Sequence, residues 1–171
     1  MGDTDRRVCI RRTGEPGDLG WMIKAHGEVY AAEYGWDASF EALVARIVAD
    51  FAVQADPTRE AGWIAEVDGE RVGCVLCTAA SEVTAELHVL LTLPAVRGRG
   101  VGRALVRTCM EFATAAGYRQ MELWTNDLLT AARRIYLAEG FRLTGSEPHR
   151  SFGADLVGET YEVDLTAATV A

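Results

Sequence analysis

A chain of 171 residues is long enough for a sizeable buried core, and we expect a single domain over residues 1–171. Its formal net charge of −8 argues against a general nucleic-acid-binding protein, because such proteins need a basic surface. The start, Met1 to Arg12, lacks the apolar core of a signal peptide, and no apolar run reaches the roughly 18 residues of a membrane span. We therefore expect a cytoplasmic protein that binds neither nucleic acid nor membranes.

The first third of the chain predicts a short strand and two helices. We expect the strand at Val8–Arg12, followed by a helix that begins with Asp18 as its N-cap and runs to about residue 32. Asp37 or Ser39 can cap a second helix, whose apolar residues recur at helical spacing.

A β-hairpin is predicted next, because Asp68-Gly69 separates two apolar runs, Gly62–Val67 and Arg71–Ala79. Its second strand contains Cys74 and Cys77, a CxxC pair that could indicate redox or metal chemistry. Residues three apart on a strand point to opposite faces, however, and neither a second CxxC nor a histidine cluster completes a zinc site. We expect two buried cysteines and no metal.

The second half of the chain alternates strands with helices and closes on two strands separated by a long loop. The predicted elements are a strand at Thr84–Leu93, a helix from a glycine-rich turn to about Ala116, a strand at Met121–Thr125, a helix at Leu128–Glu139, and final strands at Phe141–Thr144 and Thr160–Leu165. This order predicts an α/β fold with a mixed sheet and helices on both faces.

The segment Arg97-Gly98-Arg99-Gly100-Val101-Gly102 lies between a predicted strand and a predicted helix. Helix N-termini expose backbone N–H groups, and glycines let an anion approach the backbone, so the segment predicts a phosphate or pyrophosphate pocket. Its spacing is GxGxG, not the GxGxxG of a dinucleotide-binding fold, and no GK[ST] follows. A plain glycine-rich turn at the start of a helix is the alternative.

That hexapeptide resembles the acetyl-CoA signature [Q/R]-x-x-G-x-[G/A] of the GNAT superfamily of N-acetyltransferases. The later segment Ala132–Phe141 resembles the A-x-x-x-Y-x-x-x-G-F segment of the same superfamily. Residues 17–21 and 33–36 are similar to the acetyltransferase part of bacterial proteins that fuse a MarR-type regulator to such a domain. The resemblance implies a mixed, mostly antiparallel central sheet of about six to seven strands, with helices on both faces.

The resemblance also implies cofactor-binding roles along the signature and the strand before it. Backbone groups near the signature would hold the pyrophosphate of acetyl-CoA, and those of the preceding strand would pair with the pantetheine arm. These cofactor-binding residues would be Leu90, Leu91, Thr92, Arg97, Gly98, Arg99, Gly100, Val101, Gly102 and Arg103. The Thr92 amide would face the thioester carbonyl, as a modest oxyanion donor.

Tyr136 would, by the same resemblance, protonate the departing coenzyme A thiolate. The alternative is an aromatic residue that packs on the sheet. Members of the superfamily commonly have Asn seven residues before this Tyr, where this chain has Leu129. Asn126 is the candidate to replace it as a cofactor-binding residue.

An amine acceptor must lose a proton before it attacks the thioester, so the site needs a base. Glu86, His88 and Glu122 are the candidates, and for each a solvated or structural role is the alternative. Glu86, His88, Leu90 and Thr92 alternate along the predicted cofactor-lining strand, so we expect all four on one face.

The resemblance implies an acceptor site near the first pair of helices, where Trp21, Tyr30, Tyr34 and Trp36 cluster and either wall the site or fill the core. The glycine-containing segment 151–158 is predicted to form a lid over the acceptor. His26 is expected in the core or the pocket wall, and His149 on the surface.

Together these features favour an N-acetyltransferase that passes an acetyl group from acetyl-CoA to a primary amine in a ternary complex, without a metal. A non-catalytic module that senses acyl-CoA or another ligand is the main alternative, and a different phosphate-ligand enzyme is a further one. The sequence leaves open whether the amine belongs to a small molecule or a protein, and whether the chain is a monomer or a homodimer.

Overall fold

The computed structural model describes residues 7–167, which form seven strands and four α-helices. The strands are β1 (Val8–Arg12), β2 (Ala61–Val67), β3 (Glu70–Ala79), β4 (Thr84–Thr92), β5 (Gln120–Asn126), β6 (Arg142–Ser151) and β7 (Ala154–Asp164). The helices are α1 (Asp18–Tyr34), α2 (Ala38–Gln54), α3 (Val101–Ala115) and α4 (Thr130–Ala138), and a short 3-10 helix, Pro94–Val96, precedes α3. The termini of the predicted domain, residues 1–6 and 168–171, lie outside the described residues.

All the described strands join one sheet in the order β1-β2-β3-β4-β5-β7-β6. Only the β4–β5 pair is parallel among these neighbours, and the other five pairs are antiparallel. Apolar residues of α1 and α2 pack on one face, and those of α3 and α4 pack on the other. The predicted mixed, mostly antiparallel sheet with helices on both faces is confirmed. Among the described helices, none combines the length and apolar character needed to cross a membrane.

The CxxC pair lies in β3, as predicted, with its two side chains on opposite faces of the sheet. Cys74 packs in the core under α1 and α2, and Cys77 packs in the core under α3. Both thiols are free and buried, and burial raises the pKa of Cys74 well above its ordinary value. The prediction of two buried, apolar-like cysteines is confirmed.

The carboxylate of Asp18 ties α1 to the first half of the sheet. Asp18 is the first residue of α1 and not its N-cap, which is Gly17 with φ 92°. Its side chain is 1% exposed and accepts hydrogen bonds from Arg11 of β1, at 2.8 and 3.0 Å, and from Arg71 of β3, at 2.9 Å. It also accepts two backbone N–H bonds from the turn before the helix. The guanidinium of Arg11, above all, holds the pKa of this carboxyl far below its ordinary value.

The final two strands differ from the prediction, which placed a long loop between Thr144 and Thr160 and, within it, a lid at residues 151–158. β6 and β7 instead pair along nearly their whole length and are joined by the two-residue turn Phe152-Gly153, with φ of 59° and 78°. The Phe152 ring packs 5.0 Å from Trp36 and 5.1 Å from Phe40, between ring centroids. This distant contact, which no local pattern reveals, stabilises a left-handed conformation that phenylalanine rarely adopts.

Replacing Asp18 with Ala tests the anchor that this carboxylate forms. We expect Asp18→Ala to lower the free energy of unfolding by about 3 kcal/mol, because two guanidinium groups and two N–H groups lose their shared acceptor. Glu15→Ala is the matched control, since Glu15 also contacts Arg11 but is largely exposed, and we expect a change below about 0.5 kcal/mol. Chemical denaturation of the three proteins gives both values, and equal losses in the two variants would contradict the assignment.

Candidate active site

The strands β4 and β5 separate in the middle of the sheet. They pair only where they begin, with Thr84–Glu86 against Gln120–Glu122. Beyond this point Val89 has φ 57°, which is rare for a β-branched residue, and the register between β3 and β4 shifts. Such a bulge bends its strand away from the neighbour. The result is an opening between β4 and β5, and two cavities lie along it.

The bulge also overturns one prediction about β4. Glu86 and His88 line a cavity under α1 and α2, whereas Leu90 packs against the core on the side of α3 and Thr92 contacts α3 at Gly102. The four residues therefore do not share a face, because the extra residue at Val89 reverses the alternation after His88.

The first cavity, here called the turn cavity, has a volume of about 530 Å³. It is bounded by residues 90–92 of β4, the glycine-rich turn and the first part of α4. Gly98 and Gly100 both have φ 77°, and a Cβ atom built at either would meet nothing within 4 Å. The backbone of the turn is therefore open to a ligand, at the point where the first N–H groups of α3 lack helical partners. This cavity fits a diphosphate with a long arm along β4.

Most of the predicted cofactor-binding residues line the turn cavity. They are Leu90, Leu91, Thr92, Arg97, Gly98, Gly100, Val101, Gly102 and Arg103. Arg99 does not line it, and Asn126 and Tyr136 line the neighbouring cavity instead.

Two of the arginines around the turn cavity are already paired with carboxylates. Arg97 binds Glu33 of α1, and Arg103 binds Glu139 at the end of α4. Arg107 joins the second pair, with its Nε 3.0 Å from both Glu139 oxygens. Burial favours the neutral form of Glu139, but the two guanidinium groups outweigh it, so the pKa of this carboxyl lies below its ordinary value. The positive charge around the turn is thus smaller than the sequence predicts.

The second cavity, here called the aromatic cavity, has a volume of about 360 Å³ and lies between the α1–α2 pair, β4, β5 and α4. It shares four lining residues with the turn cavity, namely Tyr30, Leu90, Leu129 and Ala132. The two cavities are therefore adjacent. Leu129, which stands where the resemblance expects Asn, lies at the boundary between them.

Tyr136 lies both in the core and at the edge of the aromatic cavity. Its side chain is 4% exposed and belongs to the core, with its ring 5.8 Å from Phe141 and 6.1 Å from Tyr161. It also lines the aromatic cavity. Burial raises the pKa of its hydroxyl well above the ordinary value, so the group is held as a proton donor.

The three candidate bases lie on neighbouring strands. His88 Nε2 is 3.3 Å from Glu86 Oε2, and both side chains line the aromatic cavity. Glu122 lies opposite Glu86 across β4 and β5, but it is not among the lining residues, and Glu162 of β7 follows in the same row. Burial raises the pKa of Glu122, and the charges of Glu86 and Glu162 raise it further. Glu122 therefore holds a proton more readily than an ordinary Glu.

Asn126 is fixed by a histidine that the sequence analysis placed on the surface. The amide oxygen of Asn126 accepts a hydrogen bond of 2.8 Å from His149 Nε2, which sets the ring so that Nδ1 accepts from Ser151 Oγ at 2.9 Å. The sequence analysis missed this pair because it ended the strand at Thr144, whereas β6 continues through His149 and Ser151. Their alternation in a strand is the local signal that could have revealed the pair.

Trp124 is a second residue that the sequence analysis missed. It lines the aromatic cavity from β5 and is 49% exposed, with its ring 5.3 Å from His149. The indole lies across Gly158 of β7, where a Cβ atom would be 2.8 Å from Trp124 Nε1. Glycine at position 158 therefore permits this ring position.

Comparison with known proteins supports one family. The model of the acetyltransferase (GNAT) family matches residues 23–141, which contain α1 from its second turn, both cavities and α4. The chain belongs to the acetyltransferase (GNAT) family.

Individual relatives match over about half of this chain. An uncharacterised N-acetyltransferase of Archaeoglobus fulgidus is 34% identical over 46% of this chain and 58% of its own length. The human N-acetylaspartate synthetase is 36% identical over 51% of this chain and 29% of its own length. The chain thus spans less than two thirds of these relatives.

Solved structures extend the similarity to nearly the whole fold. The candidate acetyltransferase YncA of Salmonella typhimurium, solved with its cofactor acetyl-CoA, has a TM-score of 0.73. It is 17% identical, and the match covers 93% of this chain and 94% of that one. At this identity the match shows the fold alone.

Within residues 7–167, no group of three or more His, Cys, Asp or Glu side chains is placed to hold a metal ion.

His26 connects α1 to the bulged strand, in the pocket wall where the sequence analysis expected it. It is 3% exposed, its Nδ1 lies 2.7 Å from the Met22 carbonyl oxygen, and its ring stacks on Tyr30 with centroids 5.8 Å apart. Burial lowers the pKa of His26 to about 4, against smaller opposing effects of backbone bonds to Met22 and Leu90.

The lowered pKa of His26 predicts a loss of stability in mild acid. The unfolded chain binds a proton at this residue near pH 6.5, whereas the folded protein does so only near about pH 4. The contribution of neutral His26 to the free energy of unfolding is therefore complete above pH 6.5. It is lost as pH drops toward about 4, by at most about 1.4 kcal/mol per pH unit. His26→Gln should flatten the free energy of unfolding across this window. Parallel curves for the two proteins would contradict the assignment.

Proposed function

We propose that the protein is an acetyl-CoA-dependent N-acetyltransferase that acetylates a primary amine by direct attack in a ternary complex. The observation that carries the proposal is the opening between β4 and β5, in which the cavity at the glycine-rich turn adjoins the aromatic cavity. Bound acetyl-CoA supplies the thioester, whose acetyl carbon bonds to the amine nitrogen as its C–S bond breaks. The protein's part is to align the two reactants and to move two protons.

The donor would occupy the turn cavity. The backbone N–H groups between Gly98 and Arg103 would bind its diphosphate, and the backbone of residues 90–92, freed from pairing with β5, would bind its arm. The amide of Thr92 would face the thioester carbonyl. Asn126 would replace the amide missing at Leu129, since His149 holds its oxygen and leaves its NH₂ group to donate.

The acceptor would occupy the aromatic cavity and lose its proton to a carboxylate or imidazole. Glu86 and His88 line this cavity directly, and Glu122 would act through a water molecule. Tyr136 would donate its proton to the leaving thiolate, because burial keeps its hydroxyl protonated.

A non-catalytic acyl-CoA sensor remains the second candidate. The observations that favour it are Leu129 in place of Asn and the pairing of Arg97 and Arg103 with carboxylates. The first experiment is therefore incubation with acetyl-CoA and a panel of primary amines, with release of free thiol as the readout. Cofactor binding without thiol release from any amine would favour the sensor.

Further expectations stay predictions. They are a single domain over residues 1–171, a cytoplasmic location, a monomeric or homodimeric state, and the similarity to domains fused to MarR-type regulators.

Replacing Tyr136 with Phe separates the enzyme from the sensor. We expect Tyr136→Phe to lower kcat by about 100-fold, the usual contribution of a general acid, while the affinity for coenzyme A changes little. Tyr118→Phe is the matched control, because the Tyr118 hydroxyl donates to the Arg59 carbonyl at 2.9 Å and lines neither cavity. Steady-state rates and calorimetry give the two quantities, and an unchanged kcat in Tyr136→Phe would contradict its role as the acid.

The pH profile of kcat/KM tests Glu122 as the base. Activity should rise with pH through the pKa of the base in the free enzyme, and Glu162 is one cause of the raised pKa of Glu122. Glu162→Gln removes that negative neighbour, so the acid limb should move to lower pH. The exposed Glu111→Gln on α3 should leave the profile unchanged. An unmoved limb in Glu162→Gln, together with full activity in Glu122→Gln, would exclude Glu122.

A further inference from the structure

The charges around the aromatic cavity have one sign. No lysine or arginine lies among the described residues that line it, and Glu86 contributes a carboxylate. The two lining histidines are His26, whose pKa is lowered to about 4, and His88, which lies beside Glu86. A ligand carboxylate or phosphate in this cavity would therefore lose water without gaining a cationic partner.

The same side of the sheet carries a row of carboxylates. Glu86 of β4, Glu122 of β5 and Glu162 of β7 face one another in register across three adjacent strands. Arg142 of β6 stands opposite Glu162, at the end of the row away from the cavity. The mutual repulsion of the three carboxylates contributes to the raised pKa of Glu122. This row lies beside the cavity, so its field attracts an ammonium group and repels an anion.

One wall of the aromatic cavity is a rigid cluster of rings. Tyr30, Trp36 and Phe40 pack on one another with centroids 4.6 to 5.2 Å apart, and Phe152 closes the cluster from the β6–β7 turn. These rings come from α1, α2, the loop between them and the last hairpin. Because each ring is held by the others, the wall offers fixed apolar surface to a ligand.

Trp124, which lines the cavity from β5, offers a second aromatic surface that the fold leaves open. Trp124 is half exposed beside the cavity, and Gly158 provides the space in which its indole lies. A half-exposed tryptophan leaves much of its apolar area in water, which a flat apolar ligand would cover.

These observations point to the acceptor, and we propose that it is a small arylalkyl primary amine without a carboxylate or phosphate of its own. The inference rests on the proposed function. The ring of the acceptor lies between Trp124 and the ring cluster, and its ammonium faces Glu86. Amino acids are disfavoured by their carboxylate, and linear polyamines by their lack of an apolar body.

A pair of acceptors that differ by one group tests the charge argument. We expect kcat/KM for 2-phenylethylamine to exceed that for L-phenylalanine by about tenfold or more, since the α-carboxylate finds no cation. Spermidine and L-aspartate test the apolar body and should be poorer than 2-phenylethylamine by a similar factor. An amino acid or spermidine that equals or exceeds 2-phenylethylamine would overturn the proposal.

Variants on the Trp124 side test the position of the ring. Trp124→Ala should lower kcat/KM for 2-phenylethylamine about three- to tenfold. Gly158→Ala should have the same direction of effect, because the new Cβ displaces the indole. Gly20→Ala is the matched control, since its Cβ would meet nothing within 4 Å. Trp124→Arg should shift the preference toward L-phenylalanine, because it adds a cation beside the cavity. If the two Trp124 variants and Gly158→Ala all keep the original preference for 2-phenylethylamine, the assignment is contradicted.

A binding measurement separates this inference from the proposed function. The protein is first saturated with coenzyme A and is then titrated, in separate calorimetric experiments, with 2-phenylethylamine and with L-phenylalanine. The two affinities report the preference of the cavity without turnover. Preferential binding of 2-phenylethylamine without thiol release would support the ligand class and contradict the enzyme. Thiol release with spermidine or L-aspartate, and none with 2-phenylethylamine, would support the enzyme and contradict the ligand class.

Discussion

The break in pairing between β4 and β5 is the constraint on which the rest of the molecule depends. A continuous sheet would bury the backbone of residues 90–92 in hydrogen bonds to β5, and neither cavity would exist. The bulge at Val89 prevents this at the cost of a left-handed conformation in a β-branched residue. Such strain persists only where packing holds it, and here Val89 and Leu91 pack with α1 and α2 while Leu90 packs on the side of α3.

The two sides of this break have different chemistry because different parts of the chain build them. On one side, a glycine-rich turn presents bare backbone, and its nearby arginines are partly neutralised by Glu33 and Glu139. On the other side, helices α1 and α2 contribute rings, and the sheet contributes carboxylates. The two cavities meet at Tyr30, Leu90, Leu129 and Ala132, so the boundary between them is largely apolar.

Sequence patterns predicted the order of the elements, the mixed sheet and the glycine-rich turn, because local spacing and turn chemistry determine these features. They failed where distant contacts decide. Residues 145–159 contain three glycines and a proline, which suggested a loop, yet strand pairing and the burial of Phe152 against Trp36 make them a hairpin. The bulge at Val89 has no local signature, so the faces of Leu90 and Thr92 were predicted wrongly. The roles of His149 and Trp124 depend on these same long-range pairings.

The contact between Trp36 and Phe152 also bears on how the molecule comes together. One ring belongs to the connection between the first two helices, and the other to the turn before the last strand. The wall of the aromatic cavity is thus complete only once Phe152 has joined Trp36, however early α1 and α2 acquire their helical form. Contacts of such high sequence separation are slow to form, which makes this wall a late product of folding.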